Sequence, residues 1–351
     1  MKEAINYQKI GDRVECRTCH HFCRIPVGST GLCGWHQNIG GKLYLLSYGR
    51  AAAVQIDPIE KKPFFHFLPG SLTYSFGTLG CNFHCANCQN YDLSQSKPSG
   101  KTEDSDKISW GIDLTPAEIV ANALKAKCPS IAYTYNEPTV FLEYALDTMK
   151  LAKAEGLKNV WVSNGFMSPE TLTLILPYLD AINIDIKSFD DEFYQTYCGA
   201  HLKPILENCR RLVKAKIWLE ITTLVIPTLS DKEEMLSQIA RFIKQELGEF
   251  VPWHVSAFSG EISWKLKHLP ATPISIVERA YAIGQEEGLK YIYTGNIWGD
   301  ESANTFCPAC GQIMIKRDGY DIKRLDQTGC CRNCGEKIEG LFLDYNLKFN
   351  S

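Results

Sequence analysis

Two kinds of hydrophobic pattern alternate through the middle of the chain. Short runs rich in β-branched and aromatic residues, LTYSFGT, SIAYTY, NVWVS, AINIDIK, WLEITTLV, WHVSAF and YIYTG, read as strands, and amphipathic stretches separate most of them. This alternation predicts parallel βα units in an α/β fold. AINIDI is apolar on both faces, as expected of a strand in a sheet covered by helices. Thr115 stands three residues before Glu118 with Pro116 between them, which predicts a capping box at a helix start. A second helix is expected from about 139 to 155, stopping at Gly156, and Ser230 with Glu233 is expected to open another.

In such sheets ligands bind at the carboxyl ends of the strands. Four consecutive strands end in polar residues: Cys81 follows the first, Asn136 and Glu137 the second, Asn164 and Gly165 the third, and Asp185 and Lys187 the fourth. All should converge on one rim. Asp185 and Lys187, two apart on a strand, face the same way, and charges on an otherwise apolar strand are costly unless paired or liganded. Glu137 reads equally as a turn residue before Pro138, and Ser163–Gly165 as a tight turn.

Fifteen cysteines in 351 residues change the picture. They cluster as C-x2-C and C-x3-C rather than spreading as a disulfide framework, so metal binding in a reducing compartment is the reading adopted. They divide the chain into a Cys-rich module at 1–70, a core at 71–300 and a terminal module at 301–351. Cys81, Cys85 and Cys88 form C-x3-C-x2-C, which leaves one corner of a cubane cluster for a small molecule; the alternative is a zinc knuckle with a distant fourth ligand. Cys307, Cys310, Cys331 and Cys334 have the spacing of a zinc ribbon, with Cys330 as the odd thiol. Cys16, Cys19, Cys23 and Cys33 suit zinc or a second iron–sulfur cluster, with His20, His21 and His36 nearby. Structural zinc is preferred there, because the spacing is not the standard ferredoxin run. Cys128, Cys198 and Cys209 read as buried small hydrophobes.

Composition narrows the setting. The chain is 45% hydrophobic with a net charge of −3. That balance gives no bulk reason to expect nucleic acid, although IKRDGYDIKR is locally basic. The N-terminal residues lack the apolar core of a secretory signal and no apolar run approaches a bilayer span, so a cytoplasmic protein with no membrane association is expected. The polar stretch at 94–107 reads as a surface loop suited to a lid.

The order CNFHCANCQN, YNEP, SNGF, DIK, WHVSAF and YTGN resembles the branch of radical S-adenosylmethionine (radical SAM) enzymes that includes the pyruvate formate-lyase activating enzymes. The N-terminal Cys motif, DPIEKKPFFHFLPGS and the terminal pairs of cysteines resemble the AmmeMemoRadiSam-system radical SAM enzymes. The resemblance implies a partial (βα)6 barrel and a 4Fe-4S cluster on Cys81, Cys85 and Cys88. It further implies SAM chelated to the unique iron and a 5′-deoxyadenosyl radical that abstracts hydrogen. By the same resemblance Glu137 meets the SAM ammonium, with Asn136, Asn164, Asp185 and Lys187 also on the cofactor. An electron donor such as ferredoxin or flavodoxin is implied, and Memo-like and AMMECR1-like proteins are implied partners. Late strand ends offer His254, Ser256, Tyr293 and Asn296 for the substrate side. Two positions depart from the pattern. Asn87 replaces the usual aromatic beside the adenine, leaving Phe83 or Tyr91 for that contact, and Val162 replaces an acidic residue associated with a cation. The rival readings are a glycyl-radical-enzyme activase, and a non-catalytic zinc-dependent scaffold or nucleic-acid binder.

Overall fold

An eight-stranded sheet organises the chain: β1 (Ala53–Pro58), β2 (Leu72–Gly77), β3 (Ser130–Tyr133), β4 (Lys158–Ser163), β5 (Ala181–Asp185), β6 (Trp218–Val225), β7 (Trp253–Ala257) and β8 (Ile292–Gly295). The strands lie side by side in chain order, β1 antiparallel to β2 and every later neighbour parallel. β1 and β8 do not pair, so the sheet is open. The computed structural model describes residues 1–98, 111–297, 299 and 301–342; positions 99–107 of the expected lid lie outside the described residues. All seven strands anticipated from the hydrophobic pattern are present. Each of the first six is followed by a crossover helix, which makes six βα units, and β8 adds along β7 from Trp253 opposite Ile292.

Six helices make the parallel crossovers: α1 (Pro116–Lys125), α2 (Leu142–Ala154), α3 (Pro169–Ile175), α4 (Leu202–Lys214), α5 (Glu233–Phe242) and α6 (Ile274–Glu286). The capping box of α1 is formed as expected. Glu118 N donates to Thr115 Oγ1 at 3.2 Å, and Thr115 N donates back to Glu118 Oε2 at 2.7 Å. One 3-10 turn, Pro138–Phe141, precedes α2, and Gly156 ends its last turn with φ +78°. Ser230 does not cap α5. Its hydroxyl accepts from Ile226 N at 3.1 Å and so closes its own turn, leaving Lys232 at the N-cap.

The boundary expected at residue 70 moves. β1 belongs to the central sheet, and Ile59, Phe64, Phe67 and Leu68 of the segment that follows it pack on Ala132, Val160 and Ala181. These apolar side chains leave water only by covering the sheet. The N-terminal module is therefore two small three-stranded sheets before β1, around Val14, Ile25 and Leu43. The C-terminal module, with strands Thr305–Phe306, Ile313–Asp318 and Asp321–Arg324, shares a core with Tyr291 and Tyr293. Its basic run is not a free patch. Arg317 is buried, donating to Thr305 Oγ1 and Phe65 O, each at 2.8 Å, and Arg324 pairs with Asp326. Among the described residues no helix is long and apolar enough to cross a membrane.

A buried polar chain joins the sheet, the covering segment and the C-terminal module. Glu220 on β6 accepts from Phe65 N and His66 N at 2.9 Å, from Trp218 Nε1 at 3.0 Å, and lies 2.6 Å from His254 Nε2. Burial alone would raise the Glu220 carboxyl, but His254 and the other partners outweigh it and leave its pKa lowered. His66 Nδ1 lies 2.7 Å from Glu339 O, and Nε2 lies 2.6 Å from the Tyr293 hydroxyl. A carbonyl only accepts, so Nδ1 carries the proton and Nε2 accepts from Tyr293.

Burial pushes the pKa of His66 down from 6.5 to about 4. Between those values the unfolded chain binds the proton and the folded chain does not. The contribution of His66 is therefore complete above pH 6.5 and is lost as pH falls towards 4, by up to about 3 kcal/mol. Urea titrations from pH 7 to 4.5 should show a smaller loss of stability in His66→Asn than in the wild type; equal slopes would contradict this account.

Candidate active site

The cysteine loop has little secondary structure, and neighbouring segments fix its shape. It leaves β2 at Gly77, where a Cβ would stand 2.3 Å from Thr134 O, so the ends of β2 and β3 approach this closely only with glycine. Asn136 fastens the exit: Oδ1 accepts from Thr78 N at 3.1 Å and Nδ2 donates to Gly80 O at 2.8 Å. Further along, His84 N donates to Cys198 O at 2.9 Å and Ala86 N to Tyr197 O at 2.8 Å. Lys265 N donates to Ala86 O at 2.8 Å and Trp264 N to Cys88 O at 3.0 Å. The turns after β5 and β7 thus hold the loop between them.

The donor set fits a multi-iron cluster. A single zinc with Zn–S bonds near 2.3 Å would bring its sulfurs to about 3.8 Å from one another. Cys81, Cys85 and Cys88 do not gather all three sulfurs within 4.8 Å, and among the described residues no other Cys, His, Asp or Glu completes such a group with them. Phe83 N donates to Cys81 Sγ at 3.3 Å, and Cys88 Sγ lies 3.2 Å from Ser94 Oγ. These contacts orient two of the sulfurs.

Tyr135 begins the YNEP motif with φ +72°, a conformation that costs a tyrosine energy and needs support. The support comes from the end of β1 and the segment after it. The Tyr135 hydroxyl donates to Asp57 Oδ2 at 2.6 Å, and Lys62 pairs with the same oxygen at 2.7 Å while lying 4.2 Å from the Tyr135 ring centre. Glu137 is 1% exposed and its carboxylate is fully engaged. Oε1 accepts from Thr139 N at 3.0 Å, Thr139 Oγ1 at 2.6 Å and Ser163 Oγ at 2.9 Å, and Oε2 accepts from Asn164 N at 2.8 Å. Burial raises its pKa despite these donors. In this structure Glu137 ties the ends of β3 and β4 together.

The remaining rim residues meet the same loop. Asn164 Nδ2 donates to Asn82 Oδ1 at 2.7 Å and lies 4.0 Å from Cys81 Sγ, while Gly165 turns the chain with φ +74°. Asp185 and Lys187 pair at 2.7 Å. Burial alone would lower the Lys187 ammonium, but Asp185 and the Cys85 and Cys198 sulfurs hold it well above its ordinary value. Cys198 is buried, as expected, and lies beside Cys85 close enough to influence its thiol. No local sequence signal marks it, because the contact closes between a loop and a helical turn more than 100 residues apart.

Not every expected residue reaches the rim. His254 is 3% exposed, bonded to Glu220 and packed edge-on to Phe65 with ring centres 4.7 Å apart. Tyr293 lies beside it in register and belongs to the His66 chain. Both are corrected from substrate-side to structural positions. Asn296 is exposed at the end of β8, with Nδ2 donating to Ala257 O at 2.9 Å, and Ser256 is partly exposed. Phe83 packs against Phe166 and is 1% exposed, which takes it out of reach of an adenine; Tyr91 is partly exposed. Val162 packs beside the Ile59–Phe64 cluster and supplies no carboxylate.

At the other end of the chain, Cys307, Cys310, Cys331 and Cys334 bring all four sulfurs within 4.8 Å. Cys307 and Cys334 are 3.6 Å apart, as are Cys310 and Cys331. This is close to tetrahedral spacing for one metal ion, with Cys331 rather than Cys330 in the set.

Residues 76–240, which carry the rim around the cysteine loop, match the model of the radical SAM superfamily. The chain is 43% identical to an uncharacterized protein of Methanocaldococcus jannaschii over 97% of this chain and 99% of that one. A pyruvate formate-lyase-activating enzyme of Clostridium pasteurianum is 24% identical over 58% of this chain and 85% of its own length. A solved radical SAM methyltransferase from Sphaerobacter thermophilus is 15% identical, covers 70% of this chain and 71% of its own, and superposes with a TM-score of 0.48.

Glu137→Gln replaces one acceptor oxygen with a donor facing Asn164 N or Ser163 Oγ. A loss of about 2 kcal/mol is expected on calorimetric melting, with weaker SAM binding in equilibrium dialysis. An unchanged melt would remove Glu137 from this structural role.

Proposed function

We propose that Cys81, Cys85 and Cys88 hold a 4Fe-4S cluster at which SAM is reductively cleaved, and that hydrogen is then abstracted from a substrate at the strand ends. One observation carries the reading: a three-thiolate loop, fastened on both sides, lies at the carboxyl rim of a parallel sheet, and among the described residues no fourth ligand is gathered with it. When bound, the cluster supplies one electron to the sulfonium and a free iron site for the SAM amino and carboxylate groups. The chain's own residues orient and shield. Asn136 and Asn164 fix the Cys loop, Glu137 locks the two strand ends, and the Asp185–Lys187 pair sets charge beside Cys85.

The finer assignments rest on motifs. Cys307, Cys310, Cys331 and Cys334 are assigned a structural zinc ion in a ribbon-like module, on their spacing and the chemistry of four thiolates. Membership of the AmmeMemoRadiSam branch, with Memo-like and AMMECR1-like partners, rests on the N-terminal Cys motif and DPIEKKPFFHFLPGS. A ferredoxin or flavodoxin donor in the cytoplasm follows from the need for a low-potential electron. Activation of a glycyl-radical enzyme is the second reading, favoured by the similarity to activating enzymes; a stable glycyl radical formed on a partner protein would establish it.

With dithionite and SAM under anaerobic conditions, the reconstituted chain should form 5′-deoxyadenosine. A Cys81/Cys85/Cys88 triple-Ala variant should form at least about 100-fold less, since those thiolates provide the cluster's protein ligands. Equal product from both would refute the assignment, and no product from fully iron-loaded wild type would favour a scaffold.

A further inference from the structure

The N-terminal cysteines make a second site that the central reading does not use. Cys16, Cys19, Cys23 and Cys33 line one pocket with His36. The sulfurs are not spaced for a single ion. No three of these four, with or without His36, lie within 4.8 Å of one another, whereas the four C-terminal sulfurs all do. Cys81, Cys85 and Cys88 likewise form no such group, and four thiolates not gathered on one ion are the kind of ligand set that a cubane takes. His36 Nδ1 lies 3.8 Å from Cys33 Sγ, and its Nε2 lies 3.5 Å from Glu143 Oε2, an arrangement that orients the ring towards a ligand sulfur.

A second observation points to an acceptor in the pocket. Asn82, 1% exposed, is one of its lining residues, and its Nδ2 has no hydrogen-bond partner. Cluster sulfur is an acceptor for such a donor. The other end of the same amide, Oδ1, receives the bond from Asn164 and lies 3.8 Å from Cys81 Sγ. Asn82 therefore spans the distance between the two cysteine sets. The modules meet closely elsewhere too. His21 Nε2 lies 2.7 Å from Asn82 O, and a Cβ on Gly80 would stand 2.6 Å from Cys33 O.

We propose that Cys16, Cys19, Cys23 and Cys33 hold a second 4Fe-4S cluster, directly beside the Cys81–Cys88 loop, through which electrons enter. A low-potential one-electron carrier protein reduces this cluster and is itself oxidised. The electron then passes to the cluster on Cys81, Cys85 and Cys88, which reoxidises the N-terminal one. The metal assignment stands alone, and only the electron's destination rests on the function proposed above. The structural zinc preferred from the spacing of the sequence is replaced by this reading.

Metal analysis with electron paramagnetic resonance on the full chain tests it. Wild type should contain about eight iron and one zinc. On dithionite reduction it should show two magnetically coupled signals, of which SAM shifts one. Cys16→Ser/Cys19→Ser should lose about half the iron and keep the SAM-sensitive signal uncoupled. The Cys81/Cys85/Cys88 triple-Ala variant should keep about four iron and the SAM-insensitive signal. About four iron and two zinc in wild type, with no iron in the triple variant, would overturn the proposal even if the double variant fails to fold. If the catalytic reading alone is wrong, wild type holds about four iron and loses it in the double variant but not in the triple.

Discussion

A loop that must present three sulfurs in a fixed arrangement has little regular backbone pairing, and its internal hydrogen bonds alone do not place it against the sheet. The geometry is set from outside: by the turns after β5 and β7, by Asn136 at the exit of β2 and by Asn164 at the end of β4. Each contact is a backbone or amide hydrogen bond of modest net strength, and together they remove the loop's freedom before any ligand binds. The sheet matters chiefly because it brings these strand ends to one rim.

Two buried carboxylates show how the sheet divides its work. Glu137 spends all its acceptor capacity on groups at the rim and makes β3, β4 and the helix after β3 move as one. Glu220, deeper on β6, does the same for the covering segment and β7. A buried carboxylate is expensive unless fully partnered, and the partners here come from chain segments distant in sequence. The cost is met only when the whole assembly has formed, so each acts as a check on correct packing.

The elements were legible from the sequence because their signals are local. Alternating hydrophobic runs mark all seven parallel strands, and the capping box at Thr115 and the stop at Gly156 are written in adjacent residues. The ring of Cys81, Asn136, Asn164, Asp185 and Lys187 was legible too, since strand ends of a parallel sheet share one edge. What could not be read was contact across the fold. Nothing near Cys198 announces Cys85, nothing in WHVSAF says that His254 faces a buried glutamate, and an acidic residue after a strand looks the same whether its carboxylate is open or engaged. The boundary at 70 failed for a related reason: it was drawn from the cysteine clusters, yet Phe64 and Phe67 of DPIEKKPFFHFLPGS are buried against the sheet.

That segment also explains how the two ends of the chain depend on each other. Phe65 receives the Arg317 guanidinium at 4.1 Å from its ring centre, and His66 bonds at once to Glu339 of the C-terminal module and to Tyr293 on the edge strand. Arg317 and Glu339 flank the stretch that carries Cys331 and Cys334. A module of this size has little core of its own, so a metal held by these cysteines would supply much of its order, and its loss would loosen the contacts that hold His66, and with them the stretch that braces Tyr135 through Asp57 and Lys62. The C-terminal cysteine group thus reaches the rim through packing alone, without a side chain of its own in the site.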